Sequence, residues 1–121
     1  MERVDAQHRR NYKGRLHWAL LLALEDKRAE ALQEMDSQVQ AYAGMVNLCP
    51  LEVAEFCAVL GDTANALEWM DRAVRMGDDR EDWFRRGPHL AKIRDQPRFQ
   101  QILDSVAYRR KQRFYARPQN P

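Results

Sequence analysis

Two stretches of this chain repeat one another at a spacing of 35 residues, and that limits the fold more than any other feature. ALLLALEDKRAEALQEMDSQV (Ala19–Val39) aligns without gaps on AEFCAVLGDTANALEWMDRAV (Ala54–Val74), with identities at Ala19/Ala54, Ala23/Ala58, Ala29/Ala64, Ala31/Ala66, Leu32/Leu67, Met35/Met70, Asp36/Asp71 and Val39/Val74. Ala19, Ala31, Ala54 and Ala66 are small residues at positions where two antiparallel helices can approach closely. Helix formers dominate the chain and strand-favouring residues are scarce. The reading is all-α: helical hairpins that cannot bury their apolar faces singly and stack to share one core.

Capping signals place the elements. A first helix runs from about Asn11 to Glu25, and Asp26 can cap a second that carries Leu32, Met35, Val39 and Tyr42 inward and closes at Ala43-Gly44. Pro50 suits the first turn of a third helix, with Val53, Cys57 and Leu60 inward and Gly61 at its end. Asp62 or Thr63 caps a fourth, which ends at Gly77. Asp95 and Pro97 then start a final helix whose stripe Phe99, Ile102, Leu103 and Val106 closes the stack, while Arg98, Gln100, Gln101 and Asp104 give it a polar outer face. The expected organisation is one domain over residues 1–108, with repeats at about 11–44 and 47–77, a cap at 79–108 and a basic tail at 109–121.

The longest apolar run, Trp18–Leu24, is too short to span a bilayer, and MERVDAQHRR is too polar for a signal peptide. A cytoplasmic protein is expected. Cys49 and Cys57 agree, since eight residues of helix put them about 12 Å apart, too far for a disulfide. Both read as free, buried thiols.

The net charge of +2 hides an asymmetry: residues 1–15 carry +3, residues 109–117 (RRKQRFYAR) +5, and the middle the balancing negative charge. Arg109, Arg110, Lys111, Arg113 and Arg117, with Phe114 and Tyr115 among them, could contact nucleic acid, another anion or an acidic lipid surface; a solvated helix end is the simpler reading. The DDRED cluster (Asp78, Asp79, Glu81, Asp82) lacks the ligand spacing of a calcium loop and suits a helix start. His8, His17 and His89 show no metal spacing, and the five glycines form no phosphate loop. Neither catalysis nor a metal or other cofactor is expected. Trp18, Trp69 and Trp83 fit a core at helical spacing, except that the twin of Trp69 is Glu34, which marks Trp69 as surface-facing, either covering the next helix or standing as an exposed hot spot.

On these residues the chain resembles the tetratricopeptide-repeat family. Ala19, Ala31 and Met35 match its pattern in the first repeat, and Ala54, Ala66 and Met70 in the second. It departs from that pattern where the helix-A tyrosine is Leu22 and Cys57 and the closing proline is Ala43 and Asp78. Trp83, Pro88, Leu90, Ile93, Arg94, Asp95, Pro97, Arg98, Phe99, Ile102 and Leu103 are similar to the repeat-and-cap ending of bacterial multidomain regulators: adenylate cyclases, Ser/Thr kinases and winged-helix transcription regulators. The resemblance implies an α-solenoid fragment that binds a protein or peptide, with a regulatory or scaffolding role in bacterial signalling or transcription control. Its partner could be another domain of a parent chain or a second copy, or the N-terminal segment of the chain could itself cover the leucines of the concave face. By the family register the concave face would present Lys13, Leu16, Leu20 and Ala23 with Leu48, Leu51, Glu55 and Ala58. A small nucleic-acid-associated protein is the alternative.

Overall fold

Asn11 opens the first helix, its side-chain oxygen accepting from the backbone amides of Lys13 and Gly14. The structure is a computed structural model and describes residues 11–116, with side chains described through 113. Among these residues the chain is all-helical and has no strand. Seven α-helices and one 3-10 helix follow in order: α1 (Tyr12–Leu24), α2 (Arg28–Glu34), α3 (Ser37–Ala43), α4 (Cys49–Val59), α5 (Thr63–Arg75), α6 (Glu81–Arg86), the 3-10 helix (Pro88–Ile93) and α7 (Pro97–Ala116).

Helix α1 packs against α2 and α4 against α5, and Ala19, Ala31, Ala54 and Ala66 are all fully buried. Helix α4 is the centre of the molecule. It touches α1, α3, α5 and the 3-10 helix, and nine of its eleven residues are buried. Helix α7 lies across α5 and α6, burying Phe99, Ile102, Leu103 and Val106, with Arg98, Gln100, Gln101 and Asp104 facing solvent as expected. Between α6 and the 3-10 helix, Gly87 fits where any Cβ would come within 2.6 Å of the Trp83 carbonyl oxygen. Cys49 and Cys57 are free and buried, and burial raises both thiols, Cys57 to about 12.

Four local expectations need correction. The second helix is not continuous from Asp26 to Ala43 but breaks at Met35-Asp36. Asp36 accepts from the amides of Gln38 and Val39, so it starts a new helix. Asp followed by Ser37 favours such a cap over a helix interior, and Arg15 holds the break by bonding the Glu34 carbonyl and the Asp36 carboxylate. The twin Asp71 is followed by Arg72 and stays inside α5. Leu32, expected inward, is half exposed, because short α2 buries only Ala31.

Asp26 is not a cap. It takes the left-handed conformation (φ 64°) that its twin Gly61 takes (φ 83°), so both repeats turn at the same place; Asp tolerates that region better than most residues. Asp62 does cap α5, accepting from Asn65. At the third site, α7 begins at Pro97 directly after Gln96, so Asp95 stands one residue too early for the expected cap. The amides of Val39 and Gln38 and the Arg15 guanidinium hold the Asp36 carboxyl below its usual range, with the Val39 hydrogen bond the leading cause. Its stabilisation is therefore present above the ordinary Asp pKa and lost as pH falls through the lower folded value. Asp36→Ala should cost about 1–2 kcal/mol at neutral pH, measured by urea denaturation, with the difference from wild type shrinking in acid.

Candidate functional site

The first helices of the two hairpins, α1 and α4, lie side by side, and which of their residues remain open is set by the 100° advance per residue. The expected strip is not an open surface. Leu16 (0%) and Leu51 (1%) lie in the core, as do Ala23 and Ala58; Leu20 is half-buried against that core, Lys13 is exposed, and Leu48 is 46% exposed. Glu55 is on the named face but only 6% exposed. Leu16 and Leu51 point inward because each sits among the buried positions 16, 19 and 23, or 51, 54 and 58, at helical spacing.

A one-residue step round each helix gives the face that exists. On α1 it is Lys13, His17, Leu20 and Leu24, and at the matching positions 35 residues on it is Leu48, Glu52, Glu55 and Val59. Both sets follow the same four-three-four spacing. His17 Nδ1 contacts Glu52 Oε2 and so ties α1 to α4. Trp83 Nε1 donates to Glu55 Oε2 at 3.0 Å, tying α6 to α4. At the near end, the Arg80 guanidinium is held in a fork by the Asp78 carboxylate (2.9 and 2.7 Å) and also reaches the Leu48 carbonyl at 3.4 Å.

The two glutamates sit one turn apart on α4, with their carboxyls raised chiefly by burial. Glu55 moves from 4.5 to about 7: burial leads, nearby Glu52 and Asp78 add to it, and the Trp83 N–H and the Arg80 charge oppose it. Burial also raises Glu52, against the pull of His17, Lys13 and Arg80. The result is a face with Leu48 at one end, Leu24 and Val59 at the other, and two half-compensated carboxylates between them. Sequence reading missed His17 and Glu52, although the two are polar residues one repeat apart. That pairing was the available signal.

The basic segment expected as a tail continues helix α7 through residue 116. Arg109 donates to the Val74 carbonyl, Arg110 reaches Glu81 at 3.4 Å and Arg113 pairs with Asp79 at 2.8 Å. Lys111 is exposed, and Arg117 and the 1–10 segment with His8 lie outside the described residues. The DDRED acids thus act as internal counter-charges: Asp78 to Arg80, Asp79 to Arg113, Glu81 to Arg85 and Arg110. Among the described residues no group of three or more His, Cys, Asp or Glu is placed to hold a metal, and no helix is long and apolar enough to cross a membrane. Trp69, expected to face outward, is 8% exposed, packed in the core with the Arg72 guanidinium 4.4 Å above its ring. Trp83, at 42%, is the tryptophan that stays open, and it stands beside the face.

Comparison with known proteins returns no match: neither a family model, nor a curated protein, nor a solved structure matches the chain.

Proposed function

We propose that this chain is a tetratricopeptide-repeat-like protein-interaction module, a regulatory or scaffolding segment that acts by binding and performs no catalysis. The observation that carries the reading is the shared face of α1 and α4, where Lys13, His17, Leu20 and Leu24 meet Leu48, Glu52, Glu55 and Val59 in one register. The order of packing supports it. Hairpin α1–α2 stacks on α4, α4 on the 3-10 helix, and α5 on α7, which is how repeats of one supersecondary unit share a core. A partly open helix face that sets exposed Leu24 and Leu48 around fixed polar groups suits a helical or extended peptide. A binding role through the basic residues draws less support, because Arg109, Arg110 and Arg113 already engage the protein's own carbonyl and carboxylates.

Leu20→Arg/Leu24→Arg tests the reading, since Leu24 is 44% exposed and Leu20 only half-buried. In affinity capture from native lysate, the double variant should stay helical and lose a protein that wild type retains. Leu32→Arg, at a half-exposed leucine on α2 away from the face, should keep it. Equal retention by all three would sink the proposal.

A further inference from the structure

The face sets two carboxylates, Glu52 and Glu55, among apolar side chains, with Lys13 and His17 toward its near end, and that combination selects its occupant. Glu52 and Glu55 belong to adjacent turns of α4, with 15% of the Glu52 side chain accessible and Glu55 at 6%. The charged and titratable groups around them are few. Helix α1 supplies Lys13 and His17, and the turn before α6 supplies Asp78 and Arg80. Arg80 is committed to Asp78 through two hydrogen bonds, and the hydrogen bond on Glu55 comes from the neutral indole of Trp83. From the 3-10 helix, Lys92 turns instead to the Val59 carbonyl at 2.8 Å. Glu52 is met by the His17 ring and Glu55 by an indole, with the Lys13 and Arg80 charges only partly offsetting their burial. Buried carboxylates so incompletely matched are costly, so a ligand that brings a cation gains more here than at an exposed carboxylate. Beside them, Leu20, Leu24 and Val59 continue the face as an apolar patch, and Trp83 offers a half-open ring of the kind that accepts a cation.

Building on the interaction reading above, we propose that the occupant is a basic amphipathic helical segment, its leucine-type side chains on Leu20, Leu24 and Val59 and a Lys or Arg reaching Glu52 and Glu55. The charge complementarity has a measurable consequence. A cation docked at Glu55, which is half-protonated near pH 7, expels its proton. Binding therefore releases protons near neutrality and tightens as pH rises.

The test is calorimetric titration of the full chain with a synthetic amphipathic peptide of leucine and lysine, beside its leucine–glutamate counterpart. The Leu/Lys peptide should bind several-fold more tightly at pH 8 than at pH 6, with a heat that depends on the ionisation enthalpy of the buffer, while the Leu/Glu peptide should not bind. Glu52→Gln/Glu55→Gln should lose about tenfold in affinity, equivalent to about 1.4 kcal/mol, and lose the proton release. Glu30→Gln/Glu68→Gln, at exposed acids off the face, should bind as wild type. Equal weakening in both double variants would mean adventitious surface attraction and overturn the proposal. So would sedimentation of wild type as a dimer that Leu20→Arg/Leu24→Arg converts to monomer, since a second copy would then be the occupant. If a captured partner is lost in Leu20→Arg/Leu24→Arg yet is not displaced by the Leu/Lys peptide, this inference fails while the interaction reading stands.

Discussion

Glu55→Gln is expected to stabilise the protein at pH 8 by roughly 1–3 kcal/mol and to leave it no more stable than wild type at pH 4. The carboxyl moves from 4.5 in the unfolded chain to about 7 in the fold, with burial as the leading cause. A raised acid pKa means that the folded state holds its proton more tightly. Wild-type stability is therefore greatest below 4.5, falls as pH rises through the window from 4.5 to about 7, and is flat above it as far as this group is concerned. Glutamine keeps an oxygen for the Trp83 N–H, which now donates at 3.0 Å, and carries no charge to desolvate. The upper bound is the full shift, about 1.4 kcal/mol per pKa unit, less the cost of seating an amide. Urea denaturation across pH 4 to 8, followed by tryptophan fluorescence, reads it. A variant whose stability tracks wild type at every pH would show that Glu55 is not held as described.

Leu51→Ala should cost about 2–5 kcal/mol, against less than about 1 kcal/mol for Leu24→Ala on the neighbouring helix. The contrast separates two residues that helical spacing alone does not rank. Leu51 is 1% exposed on the central helix, where deletion leaves a cavity that α1, α3 and α5 cannot jointly collapse into. Leu24 is 44% exposed and gives up little buried area. It follows that Leu51→Arg would unfold the protein and report nothing about binding. Leu24 is the informative position. Chemical denaturation of the two alanine variants measures both costs, and comparable values would mean that the inward register of α4 is wrong.

Those two leucines also show what the sequence could and could not convey. The 35-residue identities located both hairpins, and capping residues and helical spacing located the turn at Gly61, the cap at Asp62 and the closing stripe Phe99–Val106, because each rests on local propensity or spacing. The break at Asp36 has a local signal in Asp36-Ser37, but Arg15, 21 residues away, holds it, and no local pattern announces that bond. Half of the expected strip is covered: Leu16, Ala23, Leu51 and Ala58 lie in the core, while Lys13, Leu20, Leu48 and Glu55 stay on the face shared by α1 and α4. Leucine at 16, 20, 48 and 51 looked like a strip, and nothing in one chain's sequence says which leucines a neighbouring helix covers. Its polar half depended on contacts between elements: His17 with Glu52 across α1 and α4, and Glu55 with Trp83, 28 residues apart. For the basic end, composition gave the charge, while the acids that neutralise it, Asp79 and Glu81, lie on another element.

Site-specific photo-crosslinking in cells tests the central claim most directly. A benzophenone side chain at position 24, on the face, is compared with one at position 68, on the exposed side of α5. The account predicts a discrete protein adduct from position 24, absent from position 68 and lost when Leu20→Arg is added. Adducts from position 68 alone, or the same products from both positions, would contradict it.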